Sequence, residues 1–145
     1  MNNAEQALAY FQEGFVCSQA LFATFGEKLG LDREAALKIA EPFGAGMSCM
    51  AETCGAVTGA FMVIGLKYGR VEPGDEAAKE KTRALVKKFV SEFKVLHNSI
   101  ACKELLGVDI STPEGMERVE KEGLCDTLCN KFIRDAVEIL EKNLF

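Results

Sequence analysis

Apolar residues recur at helical spacing along nearly the whole chain, and no alternating strand pattern is found. Residues 3–13 form a first amphipathic stretch that stops at Gly14. A second helix is predicted from Val16 to Lys28, with Cys17, Ala20, Leu21, Thr24 and Phe25 sharing one face by i, i+3, i+4 spacing. Gly30 is a C-terminal stop, and Asp32 is a suitable N-cap for a third helix to Glu41. Pro42-Phe-Gly-Ala-Gly46 then breaks the pattern. Beyond the turn Glu72-Pro-Gly-Asp75 a long helix runs to Leu96. It carries a stripe of Leu85, Val86, Phe89, Val90, Phe93 and Leu96, with Lys87, Lys88 and Glu92 facing water. Ser99 can cap a short helix, Ile100–Leu106, whose first turn holds Cys102 and which Gly107 ends. Ser111-Thr-Pro-Glu-Gly115 opens another, with proline where a missing N–H costs nothing. The last helix, Leu124–Asn143, has an apolar arc of Leu128, Phe132, Ile133, Ala136, Val137, Leu140 and Leu144. Cys129 lies near the middle of that arc, and Cys125 one turn earlier on the same side.

Between the third helix and the long one lies the stretch on which the rest is organised. From Cys54 to Leu66 thirteen residues carry no charge, fenced by Glu52 and Lys67. A membrane span needs roughly 20 apolar residues, so this is a buried helix instead, apolar on every side because other helices surround it. Gly55 and Gly59 stand four apart, with Gly65 and Gly69 beyond. Glycine costs a helix roughly 1 kcal/mol against alanine, so the cluster points to close approach by a neighbouring backbone. The expected fold is all-α: a single domain over residues 1–145, with six or seven helices around this glycine-rich centre.

A chain of 145 residues buries about 70% of its unfolded surface and needs no disulfide or metal merely to hold a core. The net charge of −5, with no basic block, argues against a nucleic-acid partner. The opening residues carry neither a positive segment nor an apolar run, so export is not expected. Six cysteines in that setting point to reduced thiols in the cytoplasm, where they serve more often as metal ligands or redox groups than as structural disulfides.

Three cysteines fall near helix N-termini: Cys17, Cys54 and Cys102. Cys129 falls in the second turn of the last helix. Each, taken singly, reads first as a small hydrophobe. Four such placements near positive helix ends weaken that reading, because N–H groups and the helix dipole favour thiolate. The spacing adds little. There is no Cys-x-x-Cys, and Cys49-x4-Cys54 matches only half of a plant-type ferredoxin pattern. In an intact α-helix the Cβ atoms of Cys125 and Cys129 would lie about 5–6 Å apart, beyond the roughly 3.5–4.5 Å of a disulfide. His97, the single histidine, reads as the end of the long helix, and Glu52 as a carboxylate near a helix start. Met47, Met50 and Met62 read as core packing.

The run Cys54-Gly-Ala-Val-Thr-Gly59, followed by Ala-Phe-Met-Val-Ile-Gly-Leu-Lys-Tyr-Gly69, resembles the signature of the C-GCAxxG-C-C family, which is named for its cysteine pattern and described as redox-active. Gly-Phe-Val-Cys17-Ser-Gln-Ala-Leu, Cys102-Lys-Glu-Leu-Leu-Gly107 and Leu-Cys129 followed by Phe-Ile-Arg-Asp-Ala-Val are similar to the family's other cysteine segments, in order. The resemblance implies that Cys17, Cys54, Cys102 and Cys129 are the working set, and that Cys49 and Cys125 depart from the pattern. It implies redox chemistry. A related segment in split-Soret cytochromes lies beside a cysteine-bound iron–sulfur centre, which favours an iron–sulfur cluster or other thiolate-bound metal on those four residues, passing electrons to a partner protein. Two alternatives stay open at this point. One is a thiol–disulfide oxidoreductase with Cys54 as the catalytic, attacking thiolate; the other is a non-catalytic helical interaction module. The four-ligand reading requires the four sulfurs to converge on one pocket.

Overall fold

Side-chain caps and left-handed residues fix the helix boundaries in the computed structural model, which describes all residues from Met1 to Phe145. The Asn2 side chain accepts from the Glu5 N–H at 2.8 Å while the Glu5 carboxylate accepts from the Asn2 N–H at 3.2 Å, a capping box that opens α1 (Asn3–Glu13). Gly14, at φ 110°, ends it. Then come α2 (Cys17–Lys28) and α3 (Arg33–Ala40), the latter capped by Asp32 as expected. α4 is Gly55–Tyr68 and α5 is Glu76–His97, capped by Asp75 through the Ala78 N–H at 3.0 Å. α6 (Cys102–Leu106) ends at left-handed Gly107. Thr112 then caps α7 (Pro113–Glu122) through the Gly115 N–H at 3.0 Å. The chain closes with α8 (Asn130–Leu144).

The fold is all-α, as expected, with eight helices rather than six or seven. The sole β feature is an isolated antiparallel bridge between Thr53 and Ala101. No helix is long and apolar enough to cross a membrane.

α4 is buried at the centre as expected, but it shares that place with α2, against which it packs most extensively. Every α2 residue from Cys17 to Gly26 is buried. Its polar residues are mostly satisfied locally: the Ser18 hydroxyl donates to the Ala40 carbonyl at 2.7 Å, and the Gln19 amide donates to the Leu37 carbonyl at 3.0 Å. The α4 glycines allow the close approach. A Cβ on Gly59 would stand 2.8 Å from the Leu21 Cβ and 2.9 Å from the Ser18 carbonyl oxygen, and one on Gly55 would overlap the Cys17 sulfur. Gly65, by contrast, meets nothing within 4 Å.

α8 covers the pair with Phe132, Ile133, Ala136, Val137, Ile139, Leu140 and Leu144 buried, close to the predicted arc. From α5, Phe89 and Phe93 reach the core, while Leu96, read as part of the stripe, is 55% exposed. Met50, read as core, is 58% exposed, because its segment turns outward over the surface. His97 does end α5, but it is also a packed residue. Its Nε2 lies 2.7 Å from the Asp135 Oδ2, and its ring packs against Phe93 and Phe132.

Candidate cysteine site

Helix starts carry the site. Cys17 is the first residue of α2, Cys54 the N-cap of α4 and Cys102 the first residue of α6. The Thr53–Ala101 bridge ties two of these starts together: the Cys54 N–H donates to the Ile100 carbonyl at 2.8 Å, and the Cys102 N–H to the Glu52 carbonyl at 2.6 Å. Close packing of Gly55 on Cys17 brings the third alongside. Cys129 arrives from a different direction, at the end of a π-helical turn (Cys125–Cys129) that leads into α8.

Together they border one cavity of about 510 Å³, within the 300–1,000 Å³ range common for small-molecule sites. Cys17, Cys54, Cys102 and Cys129 all line it. So does Cys125. Phe15, Leu105, Leu106, Ile110 and Phe132 supply much of the apolar wall. All six cysteines are free, and Cys49 is exposed and outside the lining. No three His, Cys, Asp or Glu side chains stand together so as to hold a single metal ion.

The cavity's remaining wall is a backbone feature that no residue type in the sequence announced. Ala45, Met47, Ser48, Cys49 and Ala51 all have φ between 53° and 68°, as does Gly46 at 67°. For each non-glycine residue this left-handed conformation costs roughly 1–2 kcal/mol. Hydrogen bonds hold the segment in place: Ser48 N–H to the Gly44 carbonyl at 2.8 Å, Glu52 N–H to the Gly46 carbonyl at 2.9 Å, and Ser48 hydroxyl to the Pro42 carbonyl at 2.7 Å. The strained path points the Ala45 N–H at the Cys17 sulfur and lays Gly46 against Cys102. Strain of this kind persists where surrounding structure over-determines it, commonly at functional sites.

Burial dominates the electrostatics of the inner thiols. It pushes Cys17 up, against the opposing pull of the Ala45 and Ser18 N–H groups. It pushes Cys54 up too, with Cys17 adding to the rise while the Ala56 and Val57 N–H groups oppose it. Cys102 is pushed up to about 12, by burial first and then by its thiol neighbours. Without a cation these groups therefore stay protonated at neutral pH, Cys54 included. Cys125 behaves differently: its interaction with the Cys129 thiol lowers it, and Cys129, as donor, is raised.

Among the lining residues outside the predicted set, Cys125 and Asn130 carry polar or reactive groups. Cys125 shared a helix face with Cys129, which was a usable signal, yet it stood outside the family pattern. Asn130 keeps its Nδ2 on the Asp126 carbonyl, leaving a buried Oδ1 without a partner. Nothing in the sequence marked it. Glu52 contributes backbone groups and an exposed side chain, and takes no part in the lining.

The family model described as "Putative redox-active protein (C_GCAxxG_C_C)" matches residues 15–143, nearly the whole chain. No curated protein and no solved structure matches the chain at significance.

Proposed function

The chain belongs to the C_GCAxxG_C_C redox-active family, and from that premise we propose that it is an electron-transfer protein holding an iron–sulfur cluster on Cys17, Cys54, Cys102 and Cys129. One observation carries the reading: four cysteines from four separate segments border a single cavity. Cysteines serving only as small hydrophobes would fill space, whereas these surround it.

The donor set suits such a group. Soft thiolate sulfur selects iron–sulfur clusters over hard cations. A cluster spreads its ligands over several metal atoms, so it does not need three thiols gathered around a single point, and no three are so gathered here. When bound, the cluster supplies reversible one-electron chemistry and the positive charge that lets the buried thiols ionise. The chain's own contribution is distinct. The Ala45 and Ser18 N–H groups face Cys17, and those of Ala56 and Val57 face Cys54, stabilising negative sulfur without a second ion. Phe15, Leu105, Leu106 and Ile110 limit access of water to the ligands. The strained 45–51 segment holds Ala45 and Gly46 in position, so little reorganisation accompanies a change of charge.

Free thiols throughout fit a reducing compartment, the cytoplasm, and electrons would pass to or from a partner protein. Thiol exchange led by Cys54 is the weaker reading, because burial holds that thiol protonated. The test is a serine series on anaerobically prepared protein. Replacing Cys17, Cys54, Cys102 or Cys129 should abolish visible absorption from the bound cluster, and Cys49→Ser should leave it intact. Equal loss at all of these positions would refute the assignment.

A further inference from the structure

Cys125 belongs to none of the family's cysteine segments, yet it borders the same cavity as Cys129, four residues along the same turn of helix. The two residues bracket the π-helical turn. A regular α-helix would separate residues four apart by about 6 Å along its axis, at 1.5 Å per residue. A π turn packs more residues into each turn and so shortens that rise, bringing positions i and i+4 more nearly one above the other. The objection that a regular helix raises against a bridge here is thereby weakened. Access also sets this pair apart. Cys125 and Cys129 are half-buried, with Asp126 and Thr127 between them exposed, while Cys17, Cys54 and Cys102 are buried. Cys49 is exposed but outside the cavity lining.

We propose that Cys125 and Cys129 form a reversible redox pair, an intrahelical disulfide switch that withdraws Cys129 from the site when a peroxide oxidises it. Its consequence for the cofactor rests on the cluster reading; the disulfide itself does not. The Cys125 sulfur, as thiolate, attacks one oxygen of hydrogen peroxide; the O–O bond breaks, hydroxide leaves, and Cys125 becomes a sulfenic acid. The Cys129 sulfur then attacks the Cys125 sulfur and expels hydroxide, which takes the Cys129 proton and departs as water. Two electrons pass from the sulfurs to peroxide, giving one disulfide, one water and one hydroxide. A dithiol reductant reverses the bond by exchange.

The experiment uses the full chain purified anaerobically, with iron measured first. Hydrogen peroxide is added stepwise, free thiols are alkylated, and disulfides are mapped on non-reduced peptides. The first link formed should join Cys125 to Cys129, lowering the free thiols by two of the six, and dithiothreitol should restore them. Cys49→Ser should behave identically. Cys125→Ser, checked for folding by circular dichroism, should keep Cys129 alkylatable at the same dose. A first disulfide between any other pair, or no Cys125–Cys129 link at excess peroxide, overturns the proposal. The link without iron in the starting protein retains this inference and removes the cluster reading; iron without the link does the opposite.

Discussion

Replacing Gly59 by alanine should destabilise the protein, although a helix interior ordinarily gains from that change. Helix propensity alone favours the variant by up to about 1 kcal/mol. The structure opposes it: the new Cβ would stand 2.8 Å from the Leu21 Cβ, 2.9 Å from the Ser18 oxygen and 3.1 Å from the Ser18 Cα. None of these is the free end of a flexible side chain, so α2 and α4 must separate to admit the methyl. Overpacking of this sort costs about 1–3 kcal/mol. The net loss is then up to about 2 kcal/mol, or a fall in Tm of up to about 8 °C at the roughly 2–4 °C per kcal/mol of a domain this size. Gly65→Ala is the matched control on the same helix, because nothing lies within 4 Å of its added Cβ. It should raise Tm by a few degrees or leave it unchanged. Thermal and urea unfolding of the metal-free, reduced variants measures both. A Gly59→Ala protein more stable than wild type, by as much as Gly65→Ala, would refute the close approach on which the placement of Cys17 beside Cys54 depends.

His97→Ala removes the partner of a nearly buried Asp135 and should cost about 1–3 kcal/mol in urea unfolding. Asp135→Asn, which keeps a hydrogen-bonding group, should cost less. In the reduced, metal-free protein, Cys102 is raised from 9.0 to about 12, and Cys17 and Cys54 are raised as well. The unfolded chain then releases thiol protons near pH 9 that the folded chain retains. Stability should therefore be fully present below that point and fall as pH rises from about 9 towards 12, as urea midpoints at successive pH values would show. Alkylation followed by peptide mass spectrometry should find Cys125 reacting with a midpoint below that of an ordinary thiol. Cys129→Ala should move that midpoint upward, by removing the interaction that lowers it.

Local signals sufficed for the helix frame. Asp32 and Asp75 cap where short polar side chains can accept a backbone N–H, and Gly14 and Gly107 stop helices in a conformation that glycine adopts without strain. The convergence of Cys17, Cys54, Cys102 and Cys129 was legible from their positions near helix starts, read together with the family resemblance. Cys125 stands outside the family's four cysteines, and a 3.6-residue period does not reproduce the π-helical turn that joins it to Cys129. The left-handed run from Ala45 to Ala51 had no local signal, since Met47, Ser48, Cys49 and Ala51 do not favour that conformation. It exists because a set of hydrogen bonds within residues 42–52 and packing against Cys102 hold it there. The His97–Asp135 contact joins residues 38 apart in sequence, a separation that helical periodicity does not read.

The central claim is that the cysteine-lined cavity holds an iron–sulfur cluster, and the most direct measurement is the iron and acid-labile sulfide content of wild-type protein purified without oxygen. The account predicts iron and sulfide in comparable amounts, with visible absorption that disappears on chelation and is absent from Cys54→Ser. Protein that remains colourless, and takes up neither element when reconstituted anaerobically with iron and sulfide, would contradict it.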